Sequence, residues 1–145
     1  MTVDQLLAYG RAVLAAQPFS VLLGTELVAL APDHTELQLP LRADHLQQHG
    51  FAHGGVVSYL ADNALTFAGG IALSGQIVTA EMKINYLRPA VGERLIARAG
   101  VIGSGRSQAV VRCDVFAVKD GEEKLCAAAQ GTIAAVPPRT AEGDR

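Results

Sequence analysis

Apolar residues recur along this chain with two different periods. Val3, Leu6, Leu7, Gly10, Val13 and Leu14 repeat at helical spacing until Pro18, and Thr2 with Gln5 three residues later supplies a capping box. A short amphipathic helix is therefore predicted at the N-terminus. The period then shortens to two. Thr25 to Leu30 and Thr35 to Leu41 read as strands joined by Ala31-Pro32-Asp33-His34, the second alternating Leu37, Leu39 and Leu41 against Glu36 and Gln38. An antiparallel pair follows.

After a loop from Arg42 to Ala52, the positions Val56, Val57, Leu60, Ala64, Leu65, Phe67, Ala68 and Ile71 cover nearly every side of a helix, which places that helix inside the protein. Gly69-Gly70 is expected to fray its end. Four more strand patterns follow: Val78 to Leu87, Arg94 to Val101, Gln108 to Val118 and Lys124 to Val136. Short turns such as Asp120-Gly121 make neighbours antiparallel, and one buried helix must be covered by the sheet they form. The fold class is α+β: a curved antiparallel sheet wrapped around one central helix. Residues 1–136 form one expected domain, and residues 137–145 an expected flexible tail.

At 145 residues the chain can bury roughly 70% of its unfolded surface in one core. Half of it is hydrophobic and 18% charged, and a net charge of -2 carries no footprint for nucleic acid or an anionic membrane, so neither is an expected partner. Apolar runs stop well short of the ~20 residues that span a bilayer, and the first residues lack a basic region followed by an apolar core, so no secretory leader is expected. A cytoplasmic location is expected. Cys113 and Cys126 flank the Asp120-Gly121 turn. A two-residue hairpin there would set Cys113 opposite Ala128 and Cys126 opposite Val115, leaving two free thiols.

Asp62 is the only charge between His53 and Glu81. An ionised carboxylate buried without partners costs several kcal/mol, so either Ser58, Thr66 or a backbone group satisfies it, or it faces a cleft and does chemistry. Gly54-Gly55 opens the same helix, where first-turn N–H groups lack intrahelical partners and form an anion or oxyanion site; the bland alternative is a tight loop-to-helix turn. Asp62 lies eight residues beyond Gly54, about 12 Å along the axis. If both act on one carbonyl, the carboxylate must come from a second subunit whose helix runs antiparallel across a two-fold axis.

Other candidates are less specific. His45, His49 and His53 would share a face of a helix, but Gly50 and Gly54 break such a helix and no metal site is expected; His53 instead orients the loop. Asn63 points about 100° away from Asp62 and reads as a hydrogen-bonding residue. Gly103-Ser104-Gly105-Arg106-Ser107, with Arg88, either cradles a phosphate or forms an ordinary glycine turn.

Together Gln47-Gln48-His49-Gly50-Phe51-Ala52-His53-Gly54-Gly55, Leu60-Ala61-Asp62, Ile84-Asn85-Tyr86-Leu87-Arg88-Pro89 and Gly105-Arg106 closely resemble the hotdog-fold acyl-CoA thioesterases of the phenylacetate-pathway (PaaI-like) type. The resemblance runs from about Leu37 to Ala135. It implies that Asp62 is the catalytic base or nucleophile and that the Gly54 N–H of the opposite subunit polarises the thioester carbonyl. Gln47 stands where the family often has Asn, keeping the amide, and Thr79 matches a hydroxyl residue that places the water. Gly55, Tyr86, Arg88, Gly105, Arg106 and Ser107 are implied to border the CoA channel. The expected partners are an acyl-CoA and a second copy of the chain, with dimers pairing into tetramers, and no cofactor. The Leu, Val, Phe and Ala that dominate the helix and flanking strands point to an aliphatic or aromatic acyl group. Two alternatives accompany this reading: a hotdog acyl-thioester dehydratase or hydratase using a catalytic His, for which His53 is the candidate, and a non-catalytic acyl-CoA binding module.

Overall fold

The computed structural model describes residues 1–137, so the expected tail beyond Pro137 lies outside the described residues. The first helix, α1 (Val3–Ala15), is capped as the sequence predicts: the Gln5 N–H donates to Thr2 Oγ1 at 3.1 Å and the Thr2 N–H to Gln5 Oε1 at 2.8 Å. Pro18 does more than end that helix. It occupies the first turn of a second helix, α2 (Pro18–Leu23), which the periodicity did not reveal because proline stops one helix and suits the first position of the next. Gly24, at φ 83, closes α2.

The remaining elements are β1 (Glu26–Ala31), β2 (His34–Pro40), a 3-10 turn at Ala43–His45, α3 (Gly54–Ala72), β3 (Ile77–Tyr86), β4 (Arg94–Ser104), β5 (Gln108–Lys119) and β6 (Glu122–Ala135). All six strands form one antiparallel sheet in the order β1-β2-β4-β5-β6-β3. It curves around α3, whose Val57, Leu60, Ala61, Ala64, Leu65 and Ala68 join Leu37, Leu39, Leu95, Val111, Val115 and Ile133 in the core. This is the wrapped-helix architecture expected above.

Gly69-Gly70 does not fray the helix, which continues to Ala72. A Cβ on Gly69 would lie 2.7 Å from Ile133 Cβ, so the glycine allows α3 to seat directly on β6. Close packing against the sheet outweighs glycine's poor helix propensity here.

Besides a bulge at Val28 in β1, three bulges interrupt the strand registers, and the one in the β5–β6 hairpin corrects an expected register. At the β5–β6 turn Asp120 and Gly121 have φ 52 and 79, the signature of a type I′ hairpin, and Lys119 faces Glu122 as predicted. Beyond Phe116–Leu125, however, the register shifts by one at Cys126. Cys113 therefore lies opposite Ala129 rather than Ala128, Val115 opposite Ala127, and Cys126 is the extra residue. Both thiols are free and buried, and desolvation raises their pKa to about 12 for Cys113 and about 11 for Cys126. The second bulge, at Ile102, precedes the glycine-rich turn. The third, at Ala80 in β3, changes which residues face the helix: Ile77 and Thr79 point inward before it, Met82 and Ile84 after it.

No helix among the described residues is long and apolar enough to cross a membrane.

Candidate active site

The start of α3 is built by His53. Its backbone is extended at ψ 136, and its Nδ1 accepts the Gly55 N–H at 2.8 Å. The His53 carbonyl accepts the N–H groups of Val56 at 2.9 Å and Val57 at 3.2 Å. Of these opening N–H groups only Gly54's finds no acceptor among the described residues. It borders a cleft of about 440 Å³ that Gln47, Val57, Tyr86, Arg88 and Cys126 also line. The Tyr86 hydroxyl donates to the Gly54 carbonyl at 3.2 Å and holds the helix end against β3.

Gln47 reaches the same cleft from the preceding loop. Its backbone N–H donates to the Phe51 carbonyl at 2.8 Å, and its side-chain oxygen accepts the His49 N–H. The amide oxygen is thus committed to the loop, leaving the NH₂ as the available donor. The loop is anchored underneath by His45, whose Nδ1 accepts the Arg42 N–H at 3.0 Å and whose carbonyl accepts the His53 N–H at 2.9 Å. Burial first, and then the nearby Arg42 charge, hold the His45 pKa below its ordinary value. The three histidines of the i, i+4 series therefore do not converge: His45 is buried, while His49 and His53 are exposed.

Asp62 lies two turns further along α3 and is half-buried, not sealed in the core. Thr79, turned inward ahead of the Ala80 bulge, donates from Oγ1 to Asp62 Oδ1 at 2.6 Å. Thr66 donates to the Asp62 carbonyl at 2.8 Å and lies 3.2 Å from Thr79 Oγ1, completing a chain of hydroxyls behind the carboxylate. Ser58 donates to the Gly55 carbonyl instead. Asp62 Oδ2 has no donor among the described residues and is available to a water or an electrophile. The Thr66 side also borders an apolar cavity of about 630 Å³ between α1 and α3, walled by Tyr9, Val13, Phe67, Ile71 and Ile77. Sequence reasoning named Thr66 only as a possible partner of Asp62; its i, i+4 spacing was the available signal.

The expected site residues thus fall into two groups within one chain. Gly54, Gly55, Gln47, His53, Tyr86 and Arg88 gather around the N-terminus of α3. Asp62 and Thr79 lie toward the other end of β3. That end also adjoins the Gly105-Arg106-Ser107 turn, whose Ser107 carbonyl accepts the Ala135 N–H at 2.9 Å beside Ile77. The ten residues of β3 separate the two ends by roughly 30 Å. Gly105, Arg106 and Ser107 consequently do not share a channel with Tyr86 and Arg88 of the same chain. The turn itself is an ordinary hairpin connection, with the Gly105 N–H donating to the Gln108 carbonyl at 2.8 Å. Asn63 points elsewhere, its amide donating at 3.2 Å to each of Gln17, Ser20 and Tyr59, and so ties α2 to α3.

Comparisons with known proteins agree with this architecture. The family model described as the Thioesterase superfamily matches residues 49–124. Human acyl-coenzyme A thioesterase 13 is 31% identical over 108 residues, 72% of this chain and 77% of that protein. A thioesterase family protein from Silicibacter pomeroyi superposes with a TM-score of 0.83 at 35% identity, covering 92% of this chain and 97% of that one. A mutant of the phenylacetic acid degradation protein PaaI from Thermus thermophilus gives a TM-score of 0.72 at 36% identity, covering 83% of this chain and 100% of that one.

Proposed function

The chain belongs to the thioesterase superfamily as a hotdog-fold thioester hydrolase of the PaaI-like type, and from that premise we propose that it cleaves acyl-CoA to a carboxylic acid and CoA at sites shared by two copies. The observation that carries this reading is the division of the site. A Gly54 N–H and an Asp62 oxygen that are both unpaired among the described residues lie about 12 Å apart on one helix, too far to meet on one carbonyl within a chain. An antiparallel copy would bring them together.

The edge of the sheet supports such a copy. Among the described residues strand β3 pairs only with β6, and Val78 and Tyr86 are exposed along it, so a second β3 can add to its free side. Antiparallel pairing would set the Ile77 end of one chain beside the Tyr86 end of the other. Asp62, Thr79 and Arg106 of the partner subunit would then approach the cleft that holds Gly54 and Gln47. Exposed Phe19, Val21 and Leu22 on α2 offer an apolar surface for two such dimers to join.

In this arrangement the thioester oxygen receives the Gly54 N–H and the Gln47 amide, which stabilise the negative charge that develops on it. Asp62 of the partner subunit acts as general base on a water or attacks the carbonyl carbon itself, while Thr79 fixes its rotamer. With Asp62 as base, the water oxygen bonds to the carbonyl carbon while Asp62 takes the water proton, and the C–S bond then breaks as that proton passes to the departing CoA thiolate. With Asp62 as nucleophile, its oxygen displaces the CoA thiolate to give an acyl-aspartyl anhydride, which a water then hydrolyses to the acid and free Asp62. The apolar cavity beside Thr66 supports an aliphatic or aromatic acyl group. His53 is poorly suited to dehydratase chemistry: with Nδ1 accepting the Gly55 N–H, its neutral ring carries the proton on Nε2 and presents no free lone pair.

Mixed dimers test the shared site. Gly54 is the first helical residue, where proline is tolerated, so Gly54→Pro removes the N–H with little disturbance. Gly54→Pro and Asp62→Asn should each lose nearly all thiol release from acyl-CoA. Co-refolded at equal amounts they should regain about a quarter of wild-type turnover, because half the dimers then carry one intact site. No recovery in verified mixed dimers would show that each site is built within one chain, and full activity of Asp62→Asn would remove its catalytic assignment.

A further inference from the structure

The cleft that holds the Gly54 N–H does not end at Arg88. It opens into a groove of about 590 Å³, and the two share Phe51, Leu87, Arg88 and Pro89 as common walls. Lys119 and Lys124 line the far side of that groove. The β5–β6 register explains why they act together: Lys119 faces Glu122 and Ala117 faces Lys124, so the two lysines are diagonal neighbours on the same face of the hairpin, roughly 7–8 Å apart. This face also carries the buried Ala117, so both lysines extend from the concave side of the sheet.

These charges are not held in ion pairs among the described residues. Arg98, elsewhere on the sheet, has Glu36 at 2.7 Å and Glu123 at 2.7 Å. Among the described residues neither lysine nor Arg88 takes part in an ion pair. Asp120 and Glu122 also line the groove, and Glu93, which accepts the Asp120 N–H at 3.1 Å, stands within reach of the Lys119 charge. Asp120 is placed there by the type I′ turn, whose positive φ favours Asp or Asn.

Resting on the reading of this protein as an acyl-CoA hydrolase, we propose that Lys119 and Lys124, with Arg88, form the subsite that holds the phosphates of CoA. A CoA thioester carries its reacting sulfur at one end of the pantetheine arm and its diphosphate and 3′-phosphate at the other. The phosphate subsite must therefore open into the Gly54 cleft yet lie outside it, and this groove meets both requirements. Lysine ammonium groups on flexible stems can follow a mobile phosphate without bidentate geometry. Arg106, the phosphate ligand implied by the resemblance, lies at the opposite end of β3 in the same chain and does not border the groove, so in the proposed dimer only Arg106 of the partner subunit would approach it.

The test compares CoA, dephospho-CoA and pantetheine by titration calorimetry on the wild-type protein, on Lys119→Ala/Lys124→Ala and on Arg106→Ala. The double variant should bind CoA about tenfold more weakly, equivalent to losing one charge-assisted hydrogen bond, and should show a flatter dependence on salt, while pantetheine affinity is kept. Asp120→Asn, which retains the turn preference, should tighten CoA. Equal weakening of CoA and pantetheine, unchanged CoA affinity in the double variant, or a loss confined to Arg106→Ala would overturn the proposal. Lysine-dependent CoA binding by a protein that releases no thiol from any acyl-CoA would instead overturn the hydrolase reading and leave the subsite in place.

Discussion

Thr79 Oγ1 lies 2.6 Å from Asp62 Oδ1 and donates to it, while Asp62 Oδ2 has no donor among the described residues. One oxygen is held and the other is left for chemistry. Because the hydroxyl orients the carboxylate, Thr79→Val should lower kcat by about 10- to 100-fold, the equivalent of one hydrogen bond to a charged group, with KM little changed. Thr79→Ser keeps the hydroxyl and should retain most of the rate. A valine variant with wild-type kcat would show that Asp62 is positioned by something else.

At the other half of the site, Gly54 is not required by backbone strain. Its φ is not in the left-handed region, and an added Cβ would meet only the Tyr86 ring at 3.6 Å, an ordinary contact. Gly54→Ala should therefore fold with stability equal to or above wild type, by up to ~1 kcal/mol from the better helix propensity. Thiol release should nevertheless fall, since the methyl group stands beside the N–H that the carbonyl must approach. Thermal melts and kcat/KM measured together check both halves. Gly55 behaves differently: a Cβ there would lie 2.9 Å from His53 Nδ1, so Gly55→Ala should disturb the cap and cost stability as well.

The strands and α3 were legible because their burial is periodic, and Asp62 was legible because a lone charge in an apolar helix has few explanations. What stayed hidden depends on single-residue shifts and on direction in space. The bulges at Ala80 and Cys126 leave no mark in the alternation, yet one turns Thr79 toward Asp62 and the other moves Cys113 opposite Ala129. Thr79 and Asp62 meet across 17 positions of sequence, so their hydrogen bond was not foreseen; the resemblance named Thr79 only as a residue that places the water. The sequence does not show that Arg88 and Arg106 of one chain stand at opposite ends of β3, because that separation depends on how the strands are ordered in the sheet. Lys119 and Lys124 carried no assignment in the sequence, because their shared face depends on the hairpin register.

The cavity bordered by Thr66 predicts how acyl selectivity can be changed. Phe67 and Ile71 are half-buried walls of this space, outside the fully buried core. Phe67→Ala should enlarge it and shift the optimum of kcat/KM toward longer or bulkier acyl groups. Discrimination in an apolar pocket amounts to roughly 10- to 200-fold per methylene, so a panel of acyl-CoAs of increasing length resolves the change. An unchanged chain-length profile would place the acyl group elsewhere.

His45 makes the active-site loop sensitive to acid. It is 2% exposed, its Nδ1 accepts the Arg42 N–H at 3.0 Å, and its proton-bearing Nε2 is buried without an acceptor. An imidazolium could not accept at Nδ1 and would carry its charge beside Arg42, which is why burial and that charge hold the pKa below 6.5. The unfolded chain therefore binds the proton more readily. The stability contributed by neutral His45 is present above pH 6.5 and is lost as pH falls through the lower folded value. Urea midpoints measured from pH 8 to pH 5 should decline in this window before the carboxylates Glu93 and Glu123, whose pKa values are also lowered, begin to protonate. His45→Gln, which has no titrating group, should remove the decline above pH 5. An identical slope in that variant would assign the acid sensitivity to another group and free the Gln47 loop from it.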